Sequence, residues 1–94
     1  MIIAVDFDGT LQDTKHSPNY ALIKRLKYSQ SQGNTVILWT CREGKTLLDA
    51  LAFLKAHGFR PNFVNCNCPE GIKKLGYDSR KVYADVYIDD KSIN

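Results

Sequence analysis

The stretch VDFDGTLQD, from Val5 to Asp13, follows a short apolar run, MIIA. An almost unbroken apolar run predicts a strand that is covered on both faces, here from Ile2 to Phe7. Two carboxylates, Asp6 and Asp8, stand one residue apart where this strand should end. Acids are poor strand formers and are rarely buried without a partner, so this pair indicates a chemical role at the end of the strand.

Length and composition limit the possible classes of protein. Ninety-four residues are enough for one small domain, so a single domain over residues 1–94 is expected. A hydrophobic share of 44% with a charged share of 24% is typical of a soluble globular chain. The formal net charge of +3 is too small to indicate a nucleic-acid partner, although it would not repel a phosphorylated substrate.

The cysteines and the apolar runs favour a cytoplasmic protein. The chain has three cysteines, an odd number with no second ligand pair, which favours free thiols over disulfides or a structural zinc site. The apolar runs are too short to span a bilayer, and Asp6 comes too early for a secretory leader. A reducing cytoplasm and no membrane partner are therefore expected.

Strand and helix patterns alternate along the chain. The predicted strands cover residues 2–7, 35–40, 62–65 and 81–88. The first predicted helix starts at Ser17-Pro18 and ends before Gly33, the second carries Leu47, Leu48, Leu51 and Leu54 and ends at Gly58, and the third covers residues 69–75. Ser17 is the expected N-cap of the first helix, with Pro18 in its first turn. The alternation predicts an α/β fold: a small, three-layer, doubly wound parallel sheet of about four strands in the order 4-1-2-3, with helices on both faces.

Four carboxylates should converge in this sheet. Ligands of open α/β sheets bind beyond the carboxyl ends of the strands, where the winding reverses, here between strands one and four. Strand one ends in Asp6 and Asp8, and strand four ends in Asp89 and Asp90. Clustered acids raise one another's pKa, and oxygen ligands without histidine favour a hard cation such as Mg²⁺. The alternative is that these are ordinary acids at exposed strand ends.

These strand-end residues resemble the motifs of the haloacid dehalogenase superfamily of phosphotransferases. The run DFDGT, residues 6–10, is similar to the first motif, Thr40 to the second, Lys81 to the third and Asp89-Asp90 to the fourth. In this order they cover essentially the whole chain. The resemblance implies a Rossmann-like core and an Mg²⁺-dependent mechanism through an aspartyl phosphate. The gaps between the motifs are too short for a folded insertion, which implies a member without a cap domain.

The resemblance also implies a role for each position. Asp6 would attack phosphorus, and Asp8 would protonate the leaving oxygen and later activate water. Mg²⁺ would be held by Asp6, by the carbonyl of Asp8 and by Asp90, with Asp89 acting through water. Asn94 stands where many members carry a further acid. Phosphate contacts are expected from Gly9, Thr10, Thr40, Cys41, Arg42 and Lys81, of which Thr40 and Lys81 would also be catalytic.

Three of these assignments have structural alternatives. Thr40 also begins a capping-box pattern, with Glu43 three residues later, and both functions can hold for one hydroxyl. Arg42 fits a substrate clasp and a plain surface residue equally well. Arg80, Lys73 and Lys74 are rivals of Lys81 for the cation near the transferred phosphoryl group.

The predicted function is Mg²⁺-dependent hydrolysis of phosphate monoesters through Asp6. Two alternatives stay open: a receiver-like signalling module that accepts phosphate on aspartate, and a catalytically silent domain that binds phosphate or a partner. The substrate is not predicted beyond a phosphorylated small molecule or macromolecule. A homo-oligomer is expected, because strand four would be an exposed edge of the sheet.

Overall fold

The computed structural model describes residues 1–90 as a four-stranded parallel sheet with three helices. In chain order the elements are β1 (Ile2–Val5), α1 (Tyr20–Ser31), β2 (Thr35–Leu38), α2 (Gly44–Ala56), β3 (Phe63–Val64), α3 (Pro69–Leu75) and β4 (Val86–Ile88). The strands lie in the order β3-β2-β1-β4. This arrangement confirms the predicted doubly wound α/β sheet. Asn94 lies outside the described residues.

The central strand β1 supplies side chains to both layers of the core. Ile3 and Val5 pack with apolar residues of α1 and α2, including Ile23 and Leu54. Ile2 and Ala4 belong to a second cluster on the opposite face, which also contains Ile37, Cys68, Val82 and Ala84. All four β1 residues are buried, as the unbroken apolar run predicted. The sheet is therefore covered on both faces.

The fourth strand is shorter than the sequence predicted. The alternating pattern from Lys81 to Ile88 predicted a single strand, but β4 contains only Val86–Ile88. Val82 and Ala84 are buried, as an inward-facing pattern requires. Their backbone groups do not join the sheet, because Val82 O accepts from the Tyr87 hydroxyl at 2.6 Å and Ala84 N donates to the same hydroxyl at 3.1 Å.

Two helix starts also differ from the prediction. Ser17 is not the N-cap of α1, because the helix begins at Tyr20 and Asn19 caps it through a bond from Leu22 N to Oδ1, 3.2 Å long. The capping box at Thr40 is not formed either. Helix α2 begins at Gly44, and Glu43 occupies its N-cap position without a side-chain bond.

The winding reverses between β1 and β4, and the ends of β1, β2 and β4 lie along one edge of the sheet. Within the described residues β3 and β4 are the outer strands, and the expected homo-oligomer stays a prediction. The single domain over residues 1–94 and the cytoplasmic location stay predictions as well. None of the helices in residues 1–90 is long and apolar enough to cross a membrane.

Candidate active site

Asp6 is fixed by the backbone at the point where the winding reverses. It directly follows β1, and its N–H donates to Ile88 O at 2.9 Å, which extends the pairing of β1 and β4 by one residue. Its side chain turns back on the chain, and Oδ1 accepts from Phe7 N at 2.8 Å. The second carboxylate oxygen therefore remains available for chemistry beside the strand ends.

A cleft of about 450 Å³ opens beyond the ends of β1, β2 and β4. Five residues predicted from the sequence line it: Asp6, Thr40, Cys41, Lys81 and Asp89. The remaining wall is largely apolar and consists of Ala4, Trp39, Tyr87 and Ile88. We call this space the active-site cleft. It brings together residues from four of the predicted motifs, which are up to 83 positions apart in the sequence.

Asp6 lies in a strongly acidic environment. Burial raises the pKa of its carboxyl group, and the negative charges of Asp8, Asp90 and Asp89 raise it further. The hydrogen bond from Phe7 N acts in the opposite direction but does not cancel these effects. The sequence predicted that the clustered acids raise one another's pKa; at Asp6 they do so, but each less than burial does, whereas the pKa of Asp8 is lowered. A cation bound nearby would relieve the repulsion at Asp6.

Asp8 does not line the active-site cleft but is paired with Arg42. Arg42 Nε donates to Asp8 Oδ2 at 3.0 Å, and Nη2 donates to Oδ1 at 2.8 Å. The guanidinium is held in turn by Thr46 O, 3.0 Å from Nη1, and by the Phe7 ring, whose centroid lies 4.8 Å from Cζ. The hydrogen bond with Arg42 lowers the pKa of Asp8, so the carboxyl group is ionised.

Thr40 is held by contacts on both sides. Its N–H donates to Asn65 Oδ1 at 2.8 Å, and its Oγ1 accepts from Arg42 N at 3.2 Å. Asn65 has a φ of +52°, a left-handed conformation that asparagine tolerates better than most residues. The Thr40 hydroxyl can still donate its proton to a phosphate oxygen. Its placement in the cleft therefore agrees with the predicted phosphate contact, which stays a prediction.

Gly9 and Thr10 lie in a tight turn after β1. Gly9 has a φ of +77°, and its N–H donates to Gln12 O at 2.7 Å, while Thr10 N donates to Phe7 O at 3.2 Å. A Cβ on Gly9 would lie 3.3 Å from Asp90 Cβ, so Asp90 packs closely against this turn. Gly9, Thr10 and Asp90 line a neighbouring cavity of about 340 Å³ rather than the active-site cleft. The phosphate contacts predicted for Gly9 and Thr10 stay predictions.

Lys81 is the cation that the fold places in the active-site cleft. Its Nζ lies 4.7 Å from the centroid of the Tyr87 ring. Of the rivals considered from the sequence, Lys74 lies near Glu70 Oε1 and Asp85 Oδ1, at 3.6 and 3.8 Å. Arg80 and Lys73 do not line this cleft. The geometry therefore favours Lys81 over these alternatives.

The sequence model of the haloacid dehalogenase-like hydrolases matches residues 3–89. The chain belongs to this family. A solved structure of a conserved protein from Bacteroides thetaiotaomicron is 35% identical to this hydrolase and superposes with a TM-score of 0.81. The match covers 98% of this chain and 77% of the Bacteroides chain. No curated protein matches the sequence.

The donor chemistry of this hydrolase fits a hard divalent cation. Within residues 1–90, no three His, Cys, Asp or Glu side chains come close enough together to hold a metal ion. Mg²⁺ does not need such a cage, since it is usually bound by one or two carboxylates and keeps several water molecules. Asp6, with Asp89 or Asp90 and the carbonyl of Asp8, is such a set. The neighbouring carboxylates, which add to the effect of burial in raising the pKa of Asp6, would favour a cation bound at this position.

The sequence does not identify two residues around the hydrolase's cleft, Tyr87 and Asn67. Tyr87 falls in the predicted fourth strand, and its position between Val86 and Ile88 gives no sign of its contact with Lys81. Asn67 is 7% exposed and binds the segment that carries Lys81. A buried asparagine before a helix has no distinctive local pattern, so no signal in the sequence identified it.

Proposed function

We propose that this haloacid dehalogenase-like hydrolase cleaves phosphate monoesters, in the presence of Mg²⁺, through an aspartyl phosphate on Asp6. The observation that supports this proposal most is the active-site cleft itself. Asp6, at the end of the central strand, lines this cleft of about 450 Å³ together with Thr40, which carries a hydroxyl, and Lys81, which carries an ammonium group. These are the group types that phosphoryl transfer needs: a nucleophile and donors that neutralise the phosphoryl oxygens.

In the first step, a carboxylate oxygen of Asp6 attacks phosphorus in line with the leaving oxygen. The new bond joins Asp6 to phosphorus, and the bond from phosphorus to the alcohol oxygen breaks with its electron pair. The alcohol oxygen takes a proton from Asp8. Thr40 and Lys81 stabilise the negative charge on the three remaining phosphoryl oxygens. Bound Mg²⁺ would be held by Asp6, the Asp8 carbonyl and Asp90, and would supply further positive charge.

In the second step, water attacks the phosphorus of the aspartyl phosphate. Asp8, now ionised, takes a proton from this water, and the bond between phosphorus and the Asp6 oxygen breaks. Inorganic phosphate leaves, and both carboxyl groups return to their starting states. The ion pair with Arg42 favours the ionised form of Asp8 and therefore its role as a base. In the first step Asp8 has to be protonated, and the ion pair with Arg42 opposes this protonation.

The direct test is steady-state release of phosphate from a nitrophenyl phosphate. We expect turnover with Mg²⁺, loss of turnover with EDTA, and loss of turnover in Asp6→Asn. Asp49→Asn is the matched control, because Asp49 lies on α2, does not line the active-site cleft and pairs with the exposed Lys45. Activity of Asp6→Asn equal to that of Asp49→Asn would overturn the proposal.

A silent binding domain is a second candidate, and the Asp8–Arg42 pair favours it. A carboxylate held by two hydrogen bonds from a guanidinium is a poor proton donor, and without the donor the first step is slow. Calorimetry with tungstate, a phosphate analogue, separates the two candidates. Binding of tungstate without any turnover of esters would support the silent domain. Stable phosphorylation by acetyl phosphate would instead support the receiver-like module, which the family match does not favour.

A further inference from the structure

The segment that carries Lys81 is held by side chains rather than by a strand. Residues 76–85 form no helix or strand between α3 and β4. Lys81 is exposed, and its long flexible side chain has many rotamers in solution. A cation that has to meet a phosphoryl group in one geometry acts more efficiently if its position is fixed before the substrate binds. The contacts that fix this segment therefore bear on the position of Lys81 in the cleft.

Asn67 is the first anchor of the segment. Its Nδ2 donates to Asp78 Oδ1 at 2.9 Å and to Ser79 O at 3.0 Å, and its Oδ1 accepts from Tyr83 N at 2.6 Å. Ser79 Oγ also donates to Lys81 O at 2.5 Å. These bonds fix the backbone on both sides of Lys81 while leaving its side chain free to extend.

Tyr87 is the second anchor, and it also contacts the side chain of Lys81. It lies on β4 in register with Ala4 of the central strand, so its backbone is held by the sheet. Its hydroxyl donates to Val82 O at 2.6 Å and accepts from Ala84 N at 3.1 Å. The ring is thereby fixed at both ends, and its face lies 4.7 Å from Lys81 Nζ, within the range of a cation–π contact.

We propose that Tyr87 is a positioning residue that holds the ammonium group of Lys81 in the active-site cleft, ready for the transferred phosphoryl group. The catalytic part of this inference rests on the proposed phosphatase function. The contact between ring and ammonium does not, and it is tested separately. Tyr87 has two roles in this proposal. Its hydroxyl binds the backbone of Val82 and Ala84, and its ring orients the ammonium group of Lys81.

The first experiment measures the chemical reactivity of Lys81 without any enzymatic assay. Competitive acetylation with isotope-coded acetic anhydride, followed by mass spectrometry, compares Lys81 with the other lysines as internal standards. Loss of the ring in Tyr87→Leu should raise the labelling of Lys81 by about two- to fivefold, the value of an exposed cation–π contact. Tyr87→Phe keeps the ring and should raise it less.

Tyr83→Phe is the matched control for this labelling. Tyr83 lies in the same segment, and its hydroxyl donates to Asp85 Oδ1 at 3.3 Å rather than contacting Lys81. Its removal should leave the labelling of Lys81 unchanged. Thermal melting of all variants shows whether each remains folded, and Tyr87→Met, which also lacks the ring, carries the test if Tyr87→Leu does not fold. Equal labelling of Lys81 in the wild type and in a folded variant without the ring would overturn the proposal.

The second experiment asks whether the contact matters for catalysis. A positioning role predicts that Tyr87→Phe and Tyr87→Leu lower kcat more than they raise KM, and that neither lowers kcat further once Lys81→Ala is present. Such non-additivity is expected for residues that act through one another, whereas a merely structural role would give additive losses. Additive losses would overturn the catalytic part. An inactive wild type would overturn the proposed function, while the labelling would still decide on the contact.

Discussion

Both carboxylate oxygens of Asp8 accept hydrogen bonds from Arg42, at 3.0 and 2.8 Å. The Asp8 side chain is 58% exposed and that of Arg42 is 25% exposed, so solvent screens their attraction. Exposed ion pairs contribute about 0.2–1 kcal/mol to the free energy of unfolding, which is too little to make this pair essential for the fold. The pair also has a chemical effect, since it lowers the pKa of the proposed acid and base.

Replacing Arg42 should move the pH dependence of turnover. Arg42→Gln removes the main cause of the lowered pKa of Asp8, so that pKa rises toward its ordinary value. Asp8 accepts a proton from water only when it is ionised, and the acid limb of the pH–rate profile therefore moves to higher pH. Steady-state rates on nitrophenyl phosphate from acid to neutral pH measure this shift.

The control for Arg42→Gln is Lys45→Gln, which removes an exposed cation of α2 that pairs with Asp49. We expect its acid limb to coincide with that of the wild type. If the limb of Arg42→Gln coincides with it too, Asp8 is not the base whose ionisation limits the rate.

Removing the charge of Asp6 should make the protein more stable while it abolishes turnover. The pKa of Asp6 is raised above its ordinary value of 3.8, mainly by burial. The folded state therefore loses stability relative to the unfolded state as the pH rises from 3.8 through the raised value. Asp6→Asn avoids this loss, and the Asn oxygen can still accept from Phe7 N.

Urea unfolding in EDTA tests this prediction. At neutral pH the free energy of unfolding of Asp6→Asn should exceed that of the wild type, and the difference should vanish well below pH 3.8. Asp49→Asn, on the exposed face of α2, should show no such gain. A variant that is less stable than the wild type at neutral pH would mean that the carboxylate of Asp6 is not under electrostatic strain.

The order of the strands could be predicted from the sequence because it follows from a few general rules. Alternating β and α elements require parallel strands with right-handed crossovers, and the apolar run of β1 requires a central position. The start of the last strand, β4, could not be predicted in the same way. The burial of Val82 and Ala84 continues the pattern of β4, but Asn67 and Tyr87 bind the backbone around them.

The start of α1 illustrates the same limit at a shorter range. Ser17 and Pro18 are a good local start signal, yet Asn19 caps the helix. Asn19 also donates from Nδ2 to Thr10 O at 3.0 Å and so connects the helix to the turn after β1. A tertiary contact therefore decides between two adequate local caps, and local sequence preferences do not include such a contact.

The candidate site, too, could be predicted only in part from the sequence. Asp6, Thr40 and Asp89 could be predicted to meet because each follows a strand, and parallel strands end at one edge of the sheet. The pairing of Asp8 with Arg42 could not, because it joins two loops that are 34 positions apart. It depends on the direction of two side chains, which the strand pattern does not determine.

Asp85 should contribute stability that is lost in acid. Its Oδ2 accepts from Ile2 N at 2.7 Å, and this bond is the main cause of its lowered pKa. A carboxylate with a lowered pKa stabilises the fold above its ordinary value of 3.8, and this stability disappears as the pH falls through the lowered value. Asp85→Asn should therefore cost about 1 kcal/mol at neutral pH and almost nothing in strong acid.

Urea unfolding at both pH values measures the effect of Asp85→Asn. Asp49→Asn removes a carboxylate that forms an exposed pair with Lys45, and a loss of about 0.3–0.5 kcal/mol is expected for it. An equal loss for the two variants at neutral pH would show that the charge of Asp85 stabilises the fold no more than the charge of an exposed pair does.

Mg²⁺ should raise the melting temperature of the wild type. A ligand that binds only the folded state stabilises it by mass action, by about 2.7 kcal/mol at a concentration of about 100 times Kd. Asp90→Asn should reduce this shift more than Asp89→Asn, if Asp90 contacts the ion directly and Asp89 acts through water. Differential scanning calorimetry with and without Mg²⁺ measures the shift, and Asp49→Asn should retain it. A wild-type melting temperature that does not change when Mg²⁺ is added would contradict the metal site.

The loss caused by Asp8→Asn should depend on the leaving group. An alkyl phosphate leaves as a poor alkoxide that needs a proton, so its cleavage should slow by roughly 10²–10⁴. A nitrophenyl phosphate leaves as a stabilised phenolate, and its first step should be less affected. Water still needs a base to attack the Asp6 aspartyl phosphate, so phosphoenzyme should accumulate after a burst of nitrophenol. Rapid quench with intact-mass measurement detects it, and Asp6→Asn should give none. Equal slowing of both esters without phosphoenzyme would mean that Asp8 is neither the acid nor the base.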